Sequence, residues 1–237
     1  MWEDPAHDHQ PGSVAVVTTR VPHAPRLPSM FSAPDAALDD EVIWDGVEAS
    51  GSADVRTVAT DCQITASRLT GVRFTGADHH HLRLIDVVLD DCEFSGAVLS
   101  EATFVRVEFN RCRMSGLVAS GLHAQEVTWS GCKLDGVNYR AAQMEHCRWN
   151  ECLMAEADFY AAKLTAVSLY GCDLTGAEFS KARCDVVNLH GSTLERIGGA
   201  DALRGSCIGS NQIVALALPL FAAVGIRVDD DPERSDP

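Results

Sequence analysis

The chain has 237 residues, 46% of them hydrophobic, and a formal net charge of −15. That apolar content supports a packed core and excludes a chain disordered throughout. The charge argues against direct nucleic-acid binding, which needs Lys and Arg for phosphate contacts, and no run reaches the roughly 18 apolar residues of a membrane helix.

The chain opens Met1-Trp2-Glu3-Asp4-Pro5, without a basic or apolar leader, so a cytoplasmic protein is expected. Six of the nine prolines (Pro5, Pro11, Pro22, Pro25, Pro28, Pro34) fall within the first 34 residues. Residues 1–41 therefore read as a flexible Pro-rich tail. Residues 42–61 read as a degenerate N-terminal cap coil: Val42, Trp44 and Val47 fit the pattern that follows, and Asp54 does not.

Residues 62–196 carry a five-residue rhythm. Every fifth residue from Ile64 to Leu194 is a large-side-chain site, and 23 of these 27 positions are large and apolar. The exceptions are His79, Ala119, Ala124 and Cys184. Two places before each stands a small residue, broken only by Leu82, Leu117 and Leu122. Where the large site shrinks to Ala119 and Ala124, the small site grows to Leu117 and Leu122, so both point into one core of conserved volume. Neither a period of 3.6 nor one of 2 produces this pattern; a sustained repeat predicts a solenoid.

A 20-residue period overlies the first. Cys92, Cys112, Cys132, Cys152 and Cys172 recur at that interval, and so do Trp129 and Trp149. Four pentapeptides per turn predict a square coil whose equivalent positions stack at roughly 4.8 Å. Seven of the nine cysteines occupy the small site, which predicts reduced thiols packed as small hydrophobes; without a CxxC pair no zinc site is expected. Proline is absent from 35–218, as expected where backbone N–H groups are needed between coils.

Units such as Ala157-Asp158-Phe159-Tyr160-Ala161, Cys172-Asp173-Leu174-Thr175-Gly176 and Ala177-Glu178-Phe179-Ser180-Lys181 resemble the pentapeptide-repeat family. The resemblance implies an all-β fold, a right-handed quadrilateral β-helix. All ten glycines of the repeat follow the large residue by two places, where a corner wants positive φ. The best-known members are quinolone-resistance and self-immunity proteins that mimic DNA and occupy the DNA site of gyrase, several as dimers through a C-terminal helical segment. What the resemblance implies here is a non-catalytic DNA mimic that modulates gyrase or protects it from quinolone-like inhibitors. The alternative is a rigid scaffold or interaction rod with an unrelated partner.

Residues 197–228 read as a C-terminal cap and helical dimerisation segment. Ser210 or Asn211 could start the helix and Gly225 end it, with Pro219 expected to kink or split it. Its apolar residues Ile213, Leu216, Leu220 and Phe221 form the expected homodimer interface, and 229–237 read as an acidic tail.

The charge is concentrated at the ends: −8 over residues 1–61, −4 over 62–196 and −3 over 197–237. Counted by face, the most acidic side of the rod carries Asp78, Glu101, Asp158 and Glu178 against Arg140 and Lys181, and is the expected partner-binding face. The other sides are close to neutral, which weakens mimicry. His79-His80-His81 does not predict a metal site, because consecutive side chains diverge. No catalytic motif, cofactor or metal site is expected, and an open square rod offers no deep pocket.

Overall fold

The computed structural model describes residues 19–229 except 52 and 54. The first 18 residues of the expected Pro-rich tail (1–41) and the acidic tail beyond Asp229 lie outside the described residues.

Backbone hydrogen bonding runs along the rod axis. Position i pairs in parallel with position i + 20: Gln63 with Arg83, Arg83 with Thr103, Thr103 with His123, and Lys163 with Arg183. The strands Gln63–Thr70, Arg83–Asp90, Thr103–Asn110, His123–Ser130 and Lys163–Tyr170 each cover two adjacent sides, here the first and second. The third and fourth sides are joined by single bridges such as Arg73–Glu93 and Asp78–Val98. The result is a four-sided parallel β-solenoid with one short C-terminal helix.

Every corner uses the left-handed region. All ten repeat glycines have φ between 60° and 74°, as expected. The conformation is not reserved for glycine: Asp86, Arg106, Glu126 and Val186 occupy the same corner with φ of 57°, 51°, 59° and 56°. Two of the four corners are closed by turns, as in Ala97 N–H to Phe94 C=O and Ala102 N–H to Leu99 C=O, with the positive-φ residue third. At the corner of Asp86, by contrast, the chain turns inside a continuous strand.

Both inward sites fill one core. Ala119, Ala124, Leu117 and Leu122 are all buried, so the paired exchange of volumes is real. The register stacks like on like: Phe109 lies over Trp129 at 5.6 Å and 5°, and Trp129 over Trp149 at 4.4 Å and 2°. The coil with Trp129 also holds Tyr139, and there the first side carries only Ala124, which keeps the layer within native packing density. The cysteines are free thiols. Cys132 Sγ donates to the Phe109 carbonyl, and Ser192 Oγ makes the equivalent bond to Leu169. Burial pushes the isolated Cys147 thiol up to about 12. His79 does point inward, and its ring bonds the Arg56 carbonyl at 2.6 Å.

The N-terminal segment departs from expectation. Residues 42–61 pair in register with the next coil, and the end itself is closed by residues before them. Leu38 is fully buried, Ser32 bridges Val47, and Trp44 Nε1 donates to the Ala36 carbonyl at 3.1 Å. Residues 19–28 then run along the outside of the corner between the first and second sides, from Ser168 back to Asp86. Residues 19–41 are thus not a flexible tail, because specific hydrogen bonds and one buried leucine tie them to the rod.

The C-terminal end is closed by Gln212. This buried side chain donates to the carbonyls of Leu189 and Ser192 at 2.7 and 2.6 Å, capping the last coil. Its Oε1 also accepts the Gly209 N–H, which sets the start of helix α1 (Ile213–Ala223). Helix α1 continues through Pro219 rather than splitting there. It ends at Gly225 (φ 79°), where Ile226 N–H bonds the Phe221 carbonyl. Among the described residues no helix is long and apolar enough to cross a membrane.

Two stability outcomes are expected. Val186 is β-branched, 37% exposed and left-handed, a conformation that costs roughly 1–2 kcal/mol without glycine. Val186→Gly should therefore stabilise the rod by about 1 kcal/mol, read as a higher urea midpoint at unchanged slope. Gln212→Ala leaves the buried Ser192 carbonyl without its donor and the Leu189 carbonyl with the Ser192 N–H alone, and should destabilise by roughly 1–3 kcal/mol in the same measurement.

Candidate interaction surfaces

In a parallel stack, each outward column repeats every coil, so charges meet their neighbours one coil away. At roughly 4.8 Å, two like charges in water repel by about 1 kcal/mol. The columns relieve this by alternating sign. Arg106 binds Asp86 through two bonds of 2.6 Å, Arg111 binds Asp91 at 3.0 and 2.9 Å, and Arg113 faces Glu93 at 3.7 Å. Bidentate guanidinium–carboxylate pairs hold planar geometry and take those carboxylates out of any phosphate-like row.

The four carboxylates expected to form a partner-binding face separate into two groups. Asp78 is held by His80 at 3.1 Å. Glu101 contacts His81 at 3.3 Å, whose other ring nitrogen contacts Asp61 at 3.2 Å. These two lie near the N-terminal end, each against an imidazole. Asp158 and Glu178 lie towards the C-terminal end, bridged directly one above the other.

A local device invisible to a charge count fixes this second group. Asp158 Oδ1 accepts the Tyr160 N–H at 2.8 Å, Asp173 Oδ1 the Thr175 N–H at 3.0 Å, and Glu178 Oε1 the Ser180 N–H at 2.5 Å. Each carboxylate is locked by the amide two residues on, with its second oxygen left to face outward or to meet another partner. The column positions bring Glu156 and Glu195 to the corner between Asp173 and Glu178. Arg140 takes Asp158 at 2.8 Å and Lys133 faces Asp135 at 4.0 Å, leaving Glu156, Asp173, Glu178 and Glu195 outside any ion pair among the described residues. Sequence reasoning found Asp158 and Glu178 but missed Glu156, Asp173 and Glu195; for Asp173 the Asp-x-Thr spacing was the available signal.

The expected dimer interface is divided. Leu216 is only 4% exposed and seals the end of the rod, so it is not open to a partner. Ile213, Leu220 and Phe221 are exposed, together with Val214 at 85% and Leu218 at 62%. Val214, Leu218 and Phe221 follow i, i+4, i+7 spacing and form one outward apolar stripe.

The third surface is the corner under residues 19–28. Glu126 is only 7% exposed. Its carboxylate receives the Arg20 guanidinium and the His23 backbone N–H, the latter at 2.8 Å; Asp86 receives the Arg26 backbone N–H at 2.9 Å. Burial pushes the Glu126 carboxyl up, but the bonds from Arg20 and His23 outweigh it and hold the group below its ordinary value. Asp86 is likewise lowered against burial by Arg106 and the Arg26 amide. A depressed carboxyl adds stability that is complete above the ordinary carboxylate value and is lost as pH falls through the lowered one. The His23 and Arg26 amide resonances should therefore move together on acidification, with a midpoint below that of an ordinary carboxylate. Glu126→Gln should abolish the His23 movement.

The His79-His80-His81 run is dispersed: His79 is buried, while His80 and His81 face separate carboxylates. The pentapeptide repeat region family matches residues 62–139 and 122–198, which together cover more than half of the chain. No curated protein matches the sequence. Among solved structures the chain is similar to HetL, a pentapeptide repeat protein involved in heterocyst differentiation regulation in the cyanobacterium Nostoc sp. strain PCC 7120. That match has 20% identity over 72% of this chain and 91% of that one, with a TM-score of 0.32. It is similar also to QnrB1, a plasmid-mediated fluoroquinolone resistance protein, at 17% identity over 81% and 98%, TM-score 0.38. A pentapeptide repeat protein of the Arabidopsis thaliana thylakoid lumen matches at 20% over 53% and 71%, TM-score 0.31. With its five-residue core pattern, its four-sided coil and the family match over the whole repeat, this chain belongs to the pentapeptide-repeat family.

Proposed function

We propose that the protein is a non-catalytic binding rod that docks on DNA gyrase, a type II topoisomerase, in place of duplex DNA. The observation that carries this reading is the group of amide-locked carboxylates Asp158, Asp173 and Glu178, with Glu156 and Glu195 beside them. Fixed anions on a rigid rod present charge to a basic groove without the entropy of ordering flexible side chains. The exposed stripe of Val214, Leu218 and Phe221 supports a homodimer as the working unit. Dimer formation would cover these exposed apolar side chains.

Purified protein at micromolar concentration should inhibit gyrase supercoiling or protect gyrase from a quinolone. The double variant Asp158→Lys/Glu178→Lys should lose that effect at least tenfold while keeping its thermal midpoint. An unchanged supercoiling rate in the presence of the native protein would remove gyrase as the partner. Val214→Glu/Leu218→Glu should convert a dimer into a monomer by light scattering, because neither residue packs on the rod.

A second reading, a scaffold for an unrelated partner, is favoured by the ion pairs Asp86–Arg106, Asp91–Arg111 and Glu93–Arg113, which neutralise the N-terminal half of the rod. In that case the acidic corner still binds a basic protein, and gyrase activity stays unaffected.

A further inference from the structure

Residues 20–28 read Arg-Val-Pro-His-Ala-Pro-Arg-Leu-Pro. Two three-residue periods interleave: Arg20, His23 and Arg26 in one, Pro22, Pro25 and Pro28 in the other. Three residues per turn is the period of a polyproline II helix, which puts each set on its own face. Over residues 19–26 burial follows the same period, with Thr19, Pro22 and Pro25 sheltered while Arg20, Val21, His23, Ala24 and Arg26 are exposed; beyond them it lapses, with Leu27 half-buried and Pro28 exposed. The polar contacts follow it too. Arg20 and the His23 N–H reach Glu126, and the Arg26 N–H reaches Asp86 two coils away on the same corner.

The receiving surface is built for this. Glu126 and Asp86 stand on one corner column with Arg106 between them, and Arg106 is committed to Asp86. Glu126 has no cation within its own solenoid among the described residues; its partners are Arg20 and the His23 ring, at 3.3 Å for the latter. Without an occupant this carboxylate would lie unpaired in the corner. Thr19 adds a hydroxyl contact to Ser168 at the far end. None of the backbone hydrogen bonds between coils involves residues 19–28.

We propose that the corner between the first and second sides is a docking site for a proline-rich, arginine-bearing segment in polyproline II conformation. Residues 19–28 are its resident occupant, and a partner protein enters by displacing them. Recognition uses a preordered, low-entropy helix in which the prolines at the positions of Pro22 and Pro25 meet the corner and a cation meets Glu126. A tethered occupant competes at an effective concentration of the order of millimolar, so a partner segment binds only when it is presented at higher avidity or when the occupant is released. The site is independent of the acidic corner of Asp158 and Glu178 and of any gyrase contact.

The test uses a fluorescein-labelled synthetic peptide of residues 19–28 and the full-length chain. Anisotropy is measured for the native protein, for Arg20→Glu/Arg26→Glu, and for that variant with Glu126→Gln added. The peptide should bind the first variant at least tenfold more tightly than the native protein, and Glu126→Gln should reverse the gain. A peptide with all three prolines replaced by alanine should bind several-fold more weakly. Circular dichroism establishes that the variants remain folded. Equal binding to native and variant protein, no binding to either, or indifference to Glu126→Gln would overturn the proposal. So would unchanged tryptic cleavage after Arg20 in native protein saturated with unlabelled peptide, since displacement must expose that bond.

Discussion

The structure depends on one constraint: backbone bonds join each residue to the one 20 positions on, at the spacing of adjacent strands. Once that register holds, every side chain lies over its equivalent in the next coil. Inward, this sets like on like, and Trp129 stacks on Trp149 with ring centroids 4.4 Å apart and planes 2° from parallel. The coil register brings the two rings together. Outward, the same constraint makes charge a column property, and Asp86–Arg106–Glu126 alternates for that reason.

Such a ladder has no natural end, and an open end would expose both core and unpaired backbone groups. The two ends are solved differently. At the start, Leu38 fills the core while residues 30–41 wrap the first coil. At the finish, Gln212 supplies amide donors where a further coil would have placed backbone N–H groups. Capping by one side chain fixes where helix α1 begins, so Val214, Leu218 and Phe221 face outward as a consequence of how the ladder is closed.

The repeat was legible because each unit repeats the same steric problem. A large inward residue needs a small one two places earlier, and 27 copies make that rule visible despite four exceptions at the large site and three at the small one; the left-handed corner shows in the sequence only at the ten glycines. His79 was readable only as an anomaly, since nothing near it in sequence indicates the Arg56 carbonyl 23 residues away. The seat of residues 19–28 was not legible either. Proline content alone indicates a tail, and Arg20 lies 106 residues from Glu126. Its three-residue period was in the sequence, but the acidic corner that matches it exists only after the register has brought Asp86 and Glu126 into one column.

The exceptions to charge alternation bear most on function. Within residues 62–196 the directly stacked carboxylates are Asp158 and Glu178, and the directly stacked cations are Arg113 on Lys133 and Lys163 on Arg183. A stability criterion alone would replace one member of each pair, at a gain of about 1 kcal/mol. The amide lock on Asp158 and Glu178 makes the repulsion worse by preventing the side chains from swinging apart. A rod that neutralises Asp86, Asp91 and Glu93 with arginines one coil away has the means to do the same at Glu178. Asp158 already has Arg140 of the preceding coil at 2.8 Å, so it is Glu178, locked by the Ser180 amide and outside any ion pair among the described residues, that is left for a counter-charge arriving on another molecule.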